Sequence, residues 1–210
     1  MKHPDLEPEP AFAAELFGDR IDVVRQFTDA LAEHGERLGL IGPLELPRLW
    51  TRHIINCGLL TTLIRPGHVG DIGSGAGLPG LVLAAARPDV EFVLIEPMER
   101  RVDWLLSQAE ALGLTNVTVS RTRAEDAPYV EAFDQVTARA VSALRTLIPL
   151  AAPLVRAGGE LILMKGARVD EERAAAAKQI AKARLRDVDV IELGVGQTTE
   201  TTRVFRAIVG

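Results

Sequence analysis

The chain has one cysteine, Cys57, among 210 residues. That excludes a disulfide framework and any zinc site built from a cysteine cluster. Long apolar runs are missing too. The cleanest, Leu81–Ala86, is six residues, far short of the roughly 18 needed to cross a bilayer. The start, Met1-Lys2-His3-Pro4-Asp5-Leu6-Glu7, lacks the basic end and apolar core of a secretory signal. Internal repeats are absent, and alanines 174–177 are the nearest thing to a low-complexity tract. These absences lead to the expectation of a cytoplasmic, soluble, single-domain protein with no membrane partner. What is present agrees: 47% hydrophobic and 25% charged residues, the ordinary globular mixture, in a chain long enough to bury about 70% of its unfolded surface.

The formal net charge is −5, but it is unevenly placed. Residues 1–36 carry three cations (Lys2, Arg20, Arg25) against nine anions, and the remaining 174 residues carry 21 cations against 20 anions. The body of the chain is therefore close to neutral behind an acidic leading segment, which permits a local basic patch.

Residues 1–10 read as a frayed terminus. Apolar positions Phe12, Leu16, Val23, Phe27, Ala30 and Leu31 recur at helical spacing, Trp50 to Ile64 reads as another helix, and Pro66-Gly67 closes it. Residues 1–66 thus form an N-terminal helical extension to a core spanning 67–210. In that core, short apolar runs alternate with helical stretches. Strands are expected over 68–73, 91–96, 117–120, 133–141, 160–165, 188–193 and 203–209. Helices are expected over 81–86, 100–112, 126–131, 144–155 and 170–186. This alternation predicts an α/β fold with a seven-stranded, mainly parallel sheet. The connection at 194–202 is too short for a crossover helix, so the last two strands should pair antiparallel at one edge.

The most informative segment is Val69-Gly70-Asp71-Ile72-Gly73-Ser74-Gly75-Ala76-Gly77-Leu78-Pro79-Gly80. Glycines between a strand and a helix let a backbone turn approach a ligand closely, at the carboxyl edge of a parallel sheet where open α/β folds bind ligands. Glu96 follows Gly75 by 21 residues, near the spacing of a ribose-binding acid. Asp71 separates two cofactor classes. Its carboxylate would repel a pyrophosphate, but it can receive the ammonium of the methionine part of S-adenosylmethionine (SAM), directly or through water. With seven strands used by residue 210 and an antiparallel last pair, the pattern looks like the Rossmann-like class I SAM-dependent methyltransferase fold. Asp71, Gly73, Gly75, Gly77 and Glu96 are then candidate cofactor residues. The loop after the third strand, with Ala124 and Glu125, would meet the adenine edge. In the helix at 100–112, Trp104 is read as a packing residue.

Arg52-His53-Ile54, the glycine loop ending in Gly-Leu-Pro-Gly, Arg123-Ala124-Glu125, Ala138-Arg139-Ala140 and Lys165-Gly166 together resemble one family. It is the bacterial small-subunit ribosomal RNA guanine-N7 methyltransferases, also called glucose-inhibited division protein B. The resemblance runs from about Gly39 to Gly210. It implies cofactor contacts at Gly73, Leu78, Glu96, Ala124, Glu125 and Arg139, with SAM as methyl donor and S-adenosylhomocysteine as product. It further implies 16S ribosomal RNA, or the small ribosomal subunit, as partner. The chain departs from the family pattern at Leu40-Ile41-Gly42, where Asn-Leu-Thr is common, and at Asn56-Cys57, where Asp-Ser is common.

Such chemistry accounts for another scarcity. Guanine N7 carries a lone pair and no proton, so its methylation needs alignment and no general base. No paired carboxylates, Ser/His/Asp arrangement or metal cluster stands in the crevice loops, and no metal is expected. His53, beside Arg52, is read as structural or phosphate-binding. Arg48, Arg52, Arg121, Arg123, Arg139, Arg145, Lys165 and Arg168 are the candidate RNA contacts. Among them Arg139 and Lys165 end the fourth and fifth strands and are the candidates for the catalytic positions. The acidic segment should lie away from RNA, and a monomer is expected. Three rival readings remain at this stage: a small-molecule or protein methyltransferase, a nicotinamide oxidoreductase, and a catalytically silent binding module.

Overall fold

The computed structural model describes residues 4–210, so the first three residues of the expected frayed terminus lie outside the described residues. The rest of that stretch is fastened. The Glu7 backbone N–H donates to the Leu46 carbonyl at 3.0 Å, its carboxylate accepts the Thr51 N–H at 2.9 Å, and Glu9 pairs with Arg25 at 2.7 Å. Acidic side chains that find partners on the extension replace the expected fraying.

Helices α1 (Ala11–Phe17) and α2 (Ile21–His34) are separated by a tight turn at Gly18. The expected helix over 50–64 is wound unevenly. It runs in π geometry over Leu49–Ile55, passes through one α turn, α3 (Asn56–Gly58), and tightens to 3-10 geometry over Leu59–Thr62. Wide π turns are uncommon and cluster at functional sites; this one carries Arg52 and His53.

The core alternates β1 (His68–Ile72), α4 (Gly80–Ala86), β2 (Glu91–Ile95), α5 (Glu99–Ala111), β3 (Val117–Ser120), β4 (Phe133–Arg139), α6 (Leu144–Ala151), β5 (Val155–Lys165), α7 (Val169–Ala175), α8 (Ala177–Lys182), β6 (Arg186–Leu193) and β7 (Thr202–Ile208). The sheet order is β3-β2-β1-β4-β5-β7-β6. Strands β1 to β5 pair in parallel, and β7 inserts antiparallel between β5 and β6. Three expectations are corrected. No helix forms over 126–131: a 3-10 turn at Ala124–Asp126 is followed by Ala127 in extended geometry, because the residue before Pro128 is pushed out of the α region. The helix expected over 170–186 is two helices, broken at Ala176. Strand β5 begins at Val155, which pairs with Phe133 ahead of a bulge.

Each face of the sheet is covered. Leu161 and Leu163 pack toward α6 and α7, whereas Ile162 and Met164 pack with the extension, α4 and α5, the period-2 alternation of a strand buried on both sides. The extension shares its core with the sheet: Phe17, Val24, Phe27 and Leu31 are buried in the same cluster as Leu81, Val82 and Leu94. Arg20 also donates to the Ala85 carbonyl of α4 at 2.8 Å.

Polar side chains tie the edge where the parallel strands begin. Glu160, 1% exposed, accepts from the Gln135 amide at 2.9 Å and from Arg65 and Arg206. Asp134 accepts the His68 N–H and the Arg156 guanidinium. The Asn116 amide reaches the carbonyls of Ala84, Arg87 and Val90.

Candidate functional site

At the opposite, carboxyl edge the strands open onto a cleft with two lobes, of about 330 and 320 Å³. Cavities of this size hold small molecules. Gly73, Arg101, Arg139 and Ala140 line both lobes. One lobe runs along Ser74, Gly75, Ala76 and Leu78 to the extension loop (Leu40, Ile41, Gly42, Glu45) and His53. The other is walled by Glu96, Met98, Arg123, Ala124, Glu125 and Val141.

The glycine loop is built from within the core. Gly73 and Gly75 have φ of +66° and +53°, the left-handed region that side chains rarely adopt. A Cβ on Gly73 would come within 2.9 Å of Val141, whereas at Gly75 the corresponding space is open to 3.6 Å. Trp104, 5% exposed, props the loop from beneath by donating Nε1–H to the Ala76 carbonyl at 2.9 Å, the packing role expected for it.

Glu96 is 1% exposed. Its Oε2 accepts the Gly75 N–H at 3.0 Å and its Oε1 accepts the Met98 N–H at 3.0 Å, so it ties the loop to the start of α5. It also lines the second lobe together with Ala124 and Glu125, so the structure brings these three sequence-predicted residues to one wall.

Three expected site residues stand outside the lining of the two lobes. Asp71 is 0% exposed and lines neither lobe. Its carboxylate accepts the Thr137 hydroxyl at 3.0 Å and the Gly80 N–H at 3.2 Å. It braces the loop from below, between β4 and the start of α4. Burial pushes this carboxyl up to about 7, against hydrogen bonds from Ser74, Thr137 and Gly80. Gly77 lines neither lobe either; its missing Cβ makes room for Leu81, whose Cδ1 would stand 2.5 Å away. Lys165 ends β5 as expected but is paired with Glu172 at 2.7 Å and donates to the Ser142 carbonyl at 2.8 Å. Its charge is neutralised outside the lobes, and Glu172 in turn accepts the Leu144 N–H. Lys165 therefore clamps the loop between β4 and α6.

Arg139 differs from Lys165. It donates Nη2–H to His53 Nδ1 at 2.7 Å and to the Arg52 carbonyl at 3.2 Å, and Nη1–H to Cys57 Sγ at 3.6 Å. All three acceptors are neutral, and among the described residues no carboxylate pairs with this guanidinium. The next residue, Ala140, has φ +55°. Such strain in a non-glycine residue beside a cleft is characteristic of a functional segment. His53 Nε2 lies 2.6 Å from Glu45 Oε2. Burial and the adjacent Arg139 charge push His53 down to about 4.

Sequence reasoning missed Arg101 and Glu45. Arg101 stands 3.8 Å from Glu96, and its Nε is buried with no partner among the described residues. The signal was its place in the first turn of α5, five residues after Glu96. Glu45 stands between Gly42 and Pro47, where no apolar period or motif marks it.

Most of the expected RNA-contacting arginines are engaged: Arg48 with Glu45, Arg52 with Glu45 and Glu200, Arg121 with Glu99 and Arg123 with Glu125. Arg145 and Arg168 have no ion pair among the described residues and line one depression beside α7.

Comparison with known proteins places this site in context. The family described as rRNA small subunit methyltransferase G matches residues 20–200. A "Ribosomal RNA small subunit methyltransferase G" of Clavibacter michiganensis is 64% identical over 97% of each chain. The protein of the same name from Leifsonia xyli is 63% identical over 97% of this chain and 98% of its own. Among solved structures, a SAM dependent methyltransferase from Aquifex aeolicus aligns with a TM-score of 0.55 at 18% identity, covering 96% of this chain and 95% of that one. A SAM-dependent O-methyltransferase from Thermotoga maritima gives 0.57 at 16% identity, covering 74% and 65%. These two likenesses agree with the class I methyltransferase fold that the strand order displays. By the extent of its match and the identity of its relatives, the chain belongs to the rRNA small subunit methyltransferase G family.

Proposed function

We propose that the protein transfers a methyl group from SAM to N7 of one guanine in 16S ribosomal RNA, as the family resemblance implies. The observation that carries this reading is the meeting of the two lobes at Arg139, a guanidinium not paired with any carboxylate among the described residues.

The residues present fit SAM. The open face at Gly75 gives a ligand access to the loop backbone, and the unpartnered Nε of Arg101 offers a donor at the junction of the lobes. Glu96 would accept from the ribose hydroxyls, Ala124 and Glu125 would flank the adenine, and Gly73, Gly75 and Leu78 would line the methionine part. SAM supplies an electrophilic methyl on its sulfonium. The protein's task is to present the N7 lone pair in line with it, which makes orientation the main catalytic contribution. Arg139, with its planar fork, would hold the SAM carboxylate or an RNA phosphate bidentately and so fix that alignment. A guanine in folded RNA must be looped out or flipped to reach such a cleft. Arg145 and Arg168 would contact phosphates at its rim, which adds affinity without sequence selection.

Among the described residues no helix is long and apolar enough to cross a membrane. We infer a monomer working in the cytoplasm, where its RNA partner is found. The test is the modified-nucleoside profile of ribosomal RNA from cells with and without this protein. Loss of a single 7-methylguanosine, restored by adding the purified chain and SAM to small subunits, is the expected result. An unchanged profile overturns the reading.

A further inference from the structure

A chain of three side chains runs from the extension into the cleft. The loop ahead of the π turn supplies Glu45, the π turn supplies His53, and β4 supplies Arg139. Glu45 Oε2 to His53 Nε2 is 2.6 Å, and His53 Nδ1 to Arg139 Nη2 is 2.7 Å. The protons along this chain can be placed by elimination. Arg139 has only N–H donors on its guanidinium, so His53 Nδ1 must be the acceptor. Glu45 as a carboxylate has only acceptors, so His53 Nε2 must carry the hydrogen and donate it. One neutral tautomer satisfies both ends.

The charges agree with that assignment. Burial raises the Glu45 carboxyl, but hydrogen bonds from Arg48 and His53 outweigh it and hold it at about 2. His53, at about 4, is a neutral imidazole near pH 7. The acceptor offered to Arg139 is therefore uncharged. It fixes the guanidinium without cancelling its charge, and Nε–H and one Nη1 hydrogen have no hydrogen-bond partner among the described residues.

We propose that Glu45 and His53 are positioning residues for the methyl transfer: Glu45 selects the Nε2–H tautomer of His53, and His53 Nδ1 thereby holds Arg139 at the junction of the two lobes. The inference rests on the methyl-transfer reading for its consequence, though not for its geometry. Without Glu45, the imidazole is free to carry its hydrogen on Nδ1. That tautomer presents an N–H to an N–H, and Arg139 is released. Glu45 also lines the lobe next to Ile41 and Gly42, so the same carboxylate ties the shape of the extension loop to the placement of Arg139.

The direct test uses the 15N spectrum of the imidazoles in the full labelled chain, with His53→Gln assigning the signal. The wild type should show His53 protonated on Nε2 and bare on Nδ1, and Glu45→Gln should show a mixture of tautomers, because an amide can donate or accept. A wild-type ring protonated on Nδ1, or an unchanged ring in Glu45→Gln, overturns the proposal whatever the enzyme's activity. The second measurement is single-turnover methylation of small subunits, with melting recorded for each variant. Glu45→Gln and His53→Phe should each lower the rate about 10–100-fold, the scale of losing alignment. His53→Gln, which can accept at one end and donate at the other, should recover most of it. In an Arg139→Ala background, Glu45→Gln should cost nothing further. An equal additional loss in that background, or full rate in His53→Phe, would show that neither residue acts through Arg139. If the wild type itself methylates nothing, the functional reading fails while the tautomer result stands.

Discussion

Asp71 is a fully buried carboxyl whose pKa has risen to about 7, and this makes a signed prediction about stability. The folded chain holds this proton more tightly than the unfolded chain does. Its contribution is therefore fully present below the ordinary carboxylate range and is lost as pH rises toward and through about 7. His53 has the opposite sign. Its folded pKa, about 4, lies below the ordinary 6.5, so stability is lost as pH falls through that window. The two windows overlap, and the parent's melting curve alone will not separate them. Asp71→Asn removes one term only. Its melting temperature should rise relative to the parent's between about pH 4 and about pH 7 and level off above; calorimetric scans across that range check it, and a difference that stays flat would show that Asp71 keeps an ordinary pKa. The position of Asp71 at the end of β1 was readable in the sequence. Its depth was not, because the residues that enclose it, Thr137 and Gly80, arrive from another strand and from the far end of the loop.

At the scale of elements, the seven strands and most helices were legible because periodicity and glycine or proline boundaries are local properties. The glycine loop and the Glu96, Ala124 and Glu125 wall followed from strand ends, which parallel topology brings to one edge. What a side chain at such an end will meet is not local. Arg139 and Lys165 occupy equivalent addresses on β4 and β5. Arg139 found neutral acceptors on the extension, and Lys165 found Glu172 on α7. Nothing in the spacing distinguishes them. The uneven winding over 49–62 was hidden for the same reason, since an apolar stripe fixes which face is buried and not the pitch. The difference between the two cations is measurable. Lys165→Met should destabilise the fold by about 1–3 kcal/mol, less than for a fully buried pair because Glu172 is 27% exposed. It should leave SAM affinity within a few-fold of the parent, whereas Arg139→Ala should weaken it by about 10-fold or more, the scale of hydrogen bonds to a charged group, with turnover still measurable at saturating SAM. Urea melts and titration calorimetry on the two variants decide the matter; a Lys165→Met protein of normal stability and no SAM binding would restore Lys165 to the site.

For the whole molecule, the extension and the sheet it covers pack into one core, since Phe17, Phe27 and Leu31 share a cluster with Leu81 and Leu94. The sequence boundary at residues 66 and 67 marks a change of pattern, and we infer that neither side folds without the other. The polar ties of Glu160, Asp134 and Asn116 gather at the edge where the parallel strands begin, away from the cleft. Their consequence is an asymmetry in breathing. Amides near the strand origins, such as Val69 and Gln135, can exchange with solvent only when the whole sheet comes apart. Amides around Gly73, Ala140 and Ser142 depend on loop contacts that open without disturbing the layers beneath. Deuterium uptake should therefore spread as a gradient along each strand, slowest at its origin, and adding SAM should slow the fast end alone. Uniform protection along β1 and β4 would contradict this. On this account the enzyme can part its lobes to admit a nucleotide many times over while the opposite rim keeps the strands in register.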